Sequence, residues 1–188
     1  MAEHAVPSRV LTAELMAAEV AFEKSCIPQV GRLLGLAAAS KPEGVIAESG
    51  TGSGVGTAWL HSGLGAGAHL VTVERDEDLA RRAAGVFADD GRVSVLTGDW
   101  RLLEPYAPFD VFFCDGGGKR DDPQRVVELL APGGLLVLDD FTPSPDWPPR
   151  YGGEVDELRL FYLTHPAVHA TEILTTPTSS AIVATRRP

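Results

Sequence analysis

The sequence predicts an α/β fold, a doubly wound, mostly parallel sheet of seven strands with one antiparallel strand near the C-terminus. Three observations lead there. From Gly44 onward, short apolar runs alternate with helix-patterned stretches. The runs are apolar at consecutive positions rather than at every second one, the pattern of strands covered on both faces. The last two β-prone runs are separated by too few residues for a crossover, so they pair antiparallel. A length of 188 residues suits one folded unit, read as a single domain over 1–188 with a helical N-terminal cap at 1–43 and the α/β core at 44–188.

Leu11, Leu15, Ala18 and Phe22 share one helical face, and Ile27, Val30, Leu34 and Ala37 repeat the spacing after Pro28, which predicts two leading helices. The strands are expected at Val45 to Ala47, His69 to Val73, Val93 to Leu96, Val111 to Cys114, Leu135 to Leu138, Ala170 to Thr175 and Ala181 to Thr185. Between them, Asp76 caps a helix burying Leu79, Ala83 and Phe87, and Asp122-Pro123 supplies a cap and a first-turn proline. The stretch FTPSPDWPPRYGG carries too many prolines for a helix or a central strand and reads as a long loop. A helix with Val155, Leu158 and Tyr162 inward follows.

Composition removes several functions. Sixteen Lys and Arg against 26 Asp and Glu give a net charge of −10, the wrong sign for a general phosphate-backbone binder, so no nucleic acid partner is expected. No apolar run approaches the roughly 18 residues of a membrane span. Cys26 and Cys114 lie far apart and neither belongs to a CxxC, which excludes a disulfide-dense scaffold or a zinc ribbon. The start MAEHAVPSRV lacks the positive-then-apolar layout of a signal peptide, so a cytoplasmic location is expected.

The first strand runs into Glu48-Ser49-Gly50-Thr51-Gly52-Ser53-Gly54-Val55-Gly56 and then a helix. Such a loop lets backbone approach a ligand closely and aims unpaired N–H groups at it. The dinucleotide spacing GxGxxG fails from each starting glycine, and no Lys-Ser or Lys-Thr follows at P-loop spacing. What fits is an acidic residue followed by GxGxG. Glu74 then ends the next strand twenty residues after Gly54, where a carboxylate accepts hydrogen bonds from ribose hydroxyls.

The string VIAESGTGSGVG resembles the first motif of class I S-adenosylmethionine-dependent methyltransferases. The resemblance continues through LTGDWR, FDVFFCD and PGGLLVLDD, so it covers residues 44 to 140. It implies a Rossmann-like core and S-adenosylmethionine as cofactor, held by Glu48, Gly50, Gly52, Gly54, Glu74, Gly98, Asp99, Trp100 and Asp115. For Trp100, adenine contact and plain core packing both stay open. Asp115, Asp139 and Asp140 end the fourth and fifth strands. Three such oxygen donors suit a hard divalent cation, Mg²⁺ or a similar ion. His4, His61, His69, His165 and His169 show no zinc spacing.

Those aspartates resemble the metal-dependent catechol and caffeoyl-CoA type O-methyltransferases, although Asp140 stands where that pattern has Asn. The same resemblance implies a lysine base three residues after the first aspartate. Here Gly118 holds that place and Lys119 comes one later. The expected reaction is methyl transfer to a hydroxyl of a small-molecule acceptor, with Asp115 and Lys119 as catalytic candidates. The N-terminal helices and the loop with Asp146, Trp147 and Tyr151 would cover the acceptor, and exposed N-terminal helices are compatible with a homodimer. A metal-independent methyltransferase and a non-catalytic S-adenosylmethionine-binding module remain as alternatives; an NAD(P)-linked reductase is disfavoured by the failed GxGxxG.

Overall fold

The computed structural model describes residues 6–188. Residues 1–5, with His4 and the beginning of the predicted cap, lie outside the described residues. Two helices lead, α1 (Ser8–Glu19) and α2 (Pro28–Ala39). The core then alternates: β1 (Val45–Ser49), α3 (Val55–Ser62), β2 (His69–Glu74), α4 (Glu77–Val86), β3 (Val93–Thr97), a 3-10 helix at Trp100–Tyr106, β4 (Phe109–Cys114), α5 (Pro123–Glu128) and β5 (Leu130–Phe141). After it come β6 (Arg150–Tyr151), β7 (Glu154–Val155), α6 (Glu157–Thr164), β8 (Val168–Thr176) and β9 (Ser179–Arg186).

Seven strands make one sheet in the order β3-β2-β1-β4-β5-β9-β8. The pairings from β3 to β5 are parallel, and β9 runs antiparallel to both its neighbours. Helices and loops cover both faces, which is why the strands needed continuous apolar sequence. One apolar layer gathers Trp100, Phe109, Phe112, Leu136 and Tyr162; the other gathers Val30, Leu34, Trp59, Leu70 and Phe113. The chain winds outward from β1 in one direction and from β4 in the other. This order opens a crevice at the carboxyl ends of those adjacent strands. There the amides of Asp115 and Gly116 both donate to the Ser49 carbonyl, at 3.1 and 2.6 Å.

Local signals hold at most helix starts. Asp76 accepts from the amides of Asp78 and Leu79 at 2.9 and 3.0 Å, a cap that contributes about 1 kcal/mol. Pro28 and Pro123 sit in the first turns of α2 and α5. Helix α1 departs from expectation. Leu11 and Leu15 face outward with Ala18, and Val10, Ala13, Met16 and Ala17 face inward. The helix packs on α3 and α4, where small alanines let backbones approach more closely than leucines would; Phe22 lies beyond the helix altogether.

The C-terminal third also differs. The proline-rich loop contains the short β6–β7 hairpin, which turns on Gly152 and Gly153 at φ +60° and +91°. Val155 belongs to that hairpin and not to a helix. Helix α6 buries Tyr162 as expected, but its other buried residue is Arg159. No described helix is long and apolar enough to cross a membrane.

Candidate active site

At the end of β1 the chain enters the glycine loop with Gly50, Gly52 and Gly54 at φ +92°, +53° and +85°, a region that disfavours side chains. Space is equally restrictive at Gly50, where a Cβ would lie 2.8 Å from the Gly116 nitrogen. The loop is pinned to β2. The amides of Gly50 and Thr51 donate to the Val73 carbonyl at 3.0 and 3.1 Å, and the hydroxyls of Thr51 and Thr72 meet at 2.6 Å. Glu74 is oriented by two amides, accepting from Gly52 at 2.8 Å and from Asp76 at 2.9 Å.

Two cavities flank this loop along the carboxyl ends of the strands. One of about 260 Å³ is lined by Phe22, Ser25, Cys26, Glu48, Phe113 and Asp115, among others. The second, about 300 Å³, is lined by Arg75, Gly98, Trp100, Gly117 and Asp121, among others. Gly50, Glu74 and Gly116 border both, so the cavities form one elongated site with Glu74 at the junction.

Glu48 lies beneath the loop, 1 % exposed. One of its oxygens accepts from the hydroxyls of both Thr57 and Thr72, the latter at 2.7 Å. Burial raises its carboxyl from 4.5 to about 8, against the pull of those hydroxyls, and the charges of Asp115 and Glu74 push the same way as burial. At neutral pH the folded chain therefore holds a proton here that the unfolded chain has released. Stability from this group is full below about pH 4.5 and declines as pH rises toward 8, at up to about 1.4 kcal/mol per pH unit. Glu48→Gln keeps an acceptor for both threonines and should flatten that decline, read as melting temperature against pH; an unchanged slope would assign it to another group.

The strand-end carboxylates occupy the rim. Asp115 is mostly buried, and burial first, then the charges of Asp140 and Asp139, raise its carboxyl to about 6 in spite of Lys119. Asp139 is 5 % exposed and is raised mainly by burial. Lys119 is 6 % exposed; its Nζ donates to the Asp139 carbonyl at 3.0 Å and lies 3.5 Å from Asp115 Oδ1. Oδ1 of Asp115 and Oδ1 of Asp139 remain buried without a hydrogen-bond donor. Burial and the carboxylates Glu48, Asp115 and Asp139 push the Cys26 thiol up, which makes it an unreactive wall of the first cavity.

The remaining predicted residues divide. Gly98 (φ +141°) lines the second cavity. Trp100 packs its ring into the core against Gly117 and Gly118 and also borders that cavity. Asp99 uses its carboxylate to cap the 3-10 helix through the Arg101 amide at 3.1 Å and to pair with Arg75 at 3.2 Å. Asp140 is the exposed one of the three strand-end aspartates. It sits at φ +67° and borders a separate cavity with Arg120 and Tyr151.

A family model described as protein-L-isoaspartate(D-aspartate) O-methyltransferase (PCMT) matches residues 24–139. The chain belongs to that family. It thereby falls among the class I S-adenosylmethionine-dependent O-methyltransferases. A Mycolicibacterium paratuberculosis protein named "Putative O-methyltransferase" is 36% identical over 123 residues, covering 59% of this chain and 54% of that one. The chain thus spans about half the length of the curated relatives it matches. Cofactor-bound Rv0187 from MTB superposes with a TM-score of 0.74 at 25% identity, over 95% of this chain and 89% of that one. The O-methyltransferase from Bacillus cereus in complex with SAH gives 0.77 at 24% identity, over 99% and 94%, a likeness of fold.

In this PCMT-family chain the paired cavities fit an adenosyl sulfonium compound. Gly50 and Gly52 leave no room for side chains, and Glu74 is held at the junction where a ribose would lie. The predicted cation cage fits less well. Among the described residues no three His, Cys, Asp or Glu side chains come together as metal donors. Asp140 is exposed and lines a separate cavity, and the Lys119 ammonium already lies against Asp115 Oδ1 and the Asp139 carbonyl. Sequence reasoning missed Phe22, Ser25 and Cys26, which lie between α1 and α2 and close over the glycine loop; the Ser25 and Ser53 hydroxyls meet at 3.1 Å. No spacing in the sequence marks them, because their role depends on where α1 docks. Trp147 and Tyr151, expected over the acceptor, are both exposed beside different cavities.

Proposed function

We propose that this chain transfers the methyl group of S-adenosylmethionine to a hydroxyl oxygen of a small-molecule acceptor. The observation that carries the reading is the single elongated site in which an amide-oriented Glu74 joins two cavities and Asp115 faces the first of them. Membership of the O-methyltransferase family and the SAH bound in the structure from Bacillus cereus support it.

When bound, S-adenosylmethionine supplies an electrophilic methyl group on a sulfonium sulfur. The chain's own residues do the rest. Glu74 accepts from the ribose hydroxyls, and Gly98 and Trp100 border the space for a flat base. Phe22, Cys26 and Phe113 exclude water at the opposite end, and this positioning accounts for much of the rate. Asp115, ionised above about pH 6 and carrying an unpartnered oxygen, takes the proton of the attacking hydroxyl. Lys119 as an ammonium has no lone pair to receive it and holds Asp115 in place. A hydroxyl suits this rim better than the carboxylate of an isoaspartyl residue, the acceptor named by the family model, since Asp115 and Asp139 repel an anion.

The test is thermal stabilisation by S-adenosylmethionine against NADPH, followed by a turnover screen over hydroxylated aromatics. Stabilisation by the first alone is expected, with the methylated acceptor and S-adenosylhomocysteine as products of turnover. Asp115→Asn should keep the stabilisation and lose about 10² to 10⁴ in kcat. The wild-type rate should rise with pH through about 6, because Asp115 must be ionised and burial has moved that limb upward. Normal kcat in Asp115→Asn would remove the assigned base, and stabilisation without turnover on any acceptor would favour a binding module.

A further inference from the structure

The rim poses a charge problem. Asp115, mostly buried just after β4, and Asp139, buried near the end of β5, feel each other's charge at one rim, and two carboxylates in such a place need a counter-charge. A divalent cation is one solution. We propose that this chain uses another, in which the Lys119 ammonium permanently occupies the place of a divalent cation and the site works without metal. The inference rests on the reading of the crevice as a methyl-transfer site, and it names what neutralises that site.

Four features carry it. Lys119 is fixed at its head, with Nζ 3.0 Å from the Asp139 carbonyl and 3.5 Å from Asp115 Oδ1, so one ammonium touches the ends of both strands. It is also fixed at its base. The fully buried Tyr162 hydroxyl donates to the Lys119 carbonyl at 3.0 Å, which ties the residue to α6. The Phe141 ring lies 6.0 Å from Nζ and closes the apolar side. A side chain held in this way, with 6 % exposure, is not a surface lysine that folds in on occasion.

The second feature is the loop that delivers it. Gly117 and Gly118 pass against Trp100, where Cβ atoms would come within 2.6 and 3.1 Å of neighbouring side chains, and Gly118 sits at φ +98°. The chain takes a tight path that only glycines follow and turns residue 119 back toward Asp115, four residues earlier. Third, Asp140 is exposed and lines the cavity shared with Arg120; its charge still reaches Asp115, but it is solvated, so Asp115 and Asp139 are the carboxylates that burial leaves to the one ammonium. Fourth, an ion liganded by Asp115 and Asp139 would approach their oxygens to about 2.0–2.6 Å. That places it against the ammonium, in a partly desolvated site where like charges repel strongly. Asp115 Oδ1 already faces the ammonium at 3.5 Å, so a metal would have to displace Lys119 to reach it.

The experiment is a Mn²⁺ titration of the whole chain followed by electron paramagnetic resonance of the free ion. It is run without S-adenosylmethionine, so that its outcome is independent of whether methyl transfer occurs. Wild type and Lys119→Arg should take up no stoichiometric Mn²⁺. Lys119→Ala and Lys119→Met, which leave the aspartates without a counter-charge, should each gain one bound ion per chain, lost again on adding Asp115→Asn. A merely structural lysine would not produce that gain. With an active acceptor in hand, wild-type turnover should be unchanged by EDTA, and turnover of Lys119→Ala should fall and recover in part with Mn²⁺. Stoichiometric Mn²⁺ binding by wild type, EDTA-sensitive wild-type turnover, or no gained site in the folded lysine variants would each overturn the proposal. If Lys119→Ala and Lys119→Met do not fold, the wild-type titration alone decides, since one bound ion there contradicts a site already filled.

Discussion

Gly50→Val should abolish binding of S-adenosylmethionine, with the thermal shift seen for the wild type lost entirely. Two independent penalties meet at this residue. Its φ of +92° is a conformation that β-branched residues essentially refuse. The added Cβ would also sit 2.8 Å from the Gly116 nitrogen and 2.9 Å from its Cα. Both obstacles are backbone at the point where the ends of β1 and β4 touch, so no rotamer change relieves them. The strands must part or the loop must leave its hydrogen bonds to Val73, and either movement misplaces Glu74, which is held through Gly52. The control is Gly85→Ala. Gly85 lies exposed in α4 with nothing within 4 Å of an added Cβ, so alanine there should stabilise by about 0.5–1 kcal/mol and leave binding unchanged. Wild-type affinity in Gly50→Val would mean that the ligand lies elsewhere.

Arg159→Met should cost about 3–5 kcal/mol and lower the melting temperature by on the order of 10 °C. Arg159 is completely buried. Its guanidinium pairs with Glu172 at 3.2 Å and Asp156 at 3.3 Å, donates to the Thr142 carbonyl and lies 5.4 Å from the centre of the Phe141 ring. One side chain therefore ties α6, β8 and the segment that follows β5. Methionine fills comparable space, but it leaves the partly buried carboxylates of Glu172 and Asp156 without their counter-charge, with only the Ser180 hydroxyl and the residue 159 amide still donating to them. The double variant Arg159→Met with Glu172→Met should recover part of the loss, because removing both charges spares the desolvation cost of one. Denaturant unfolding of the single and double variants measures both values. An unaltered midpoint in Arg159→Met would show that the network contributes nothing net.

These two positions also mark how far the sequence could be read. Gly50 was legible because its requirement is local: a strand end, alternating glycines and a helix start announce a close-approach loop whatever surrounds them. The same holds for Asp76 and Asp122 as caps, for Pro28 in a first helical turn, and for the strands, whose double burial demands unbroken apolar runs. Glu74 was legible from its distance along the chain, since one βαβ turn fixes where the next strand ends. Arg159 was not legible. A charged residue on an amphipathic helix reads as solvent-facing, and it goes inside only because Glu172 and Thr142, remote in sequence, arrive to receive it.

The composition and order of residues by themselves determined the layered architecture, the reversed strand near the end, the glycine cradle and the carboxylates at the strand tips, because each of these follows from periodicity, backbone allowance or chain distance along a single unit. Only the tertiary structure decided which face of α1 is buried, which aspartates meet, and that Lys119 turns inward while Asp140 turns away. Those outcomes depend on the packing of elements far apart in the chain and on balances between charge and desolvation. A buried ammonium held between the Asp115 carboxylate and the Asp139 carbonyl and a solvated lysine on a glycine loop have the same sequence, and the surrounding protein dielectric and packing select between them.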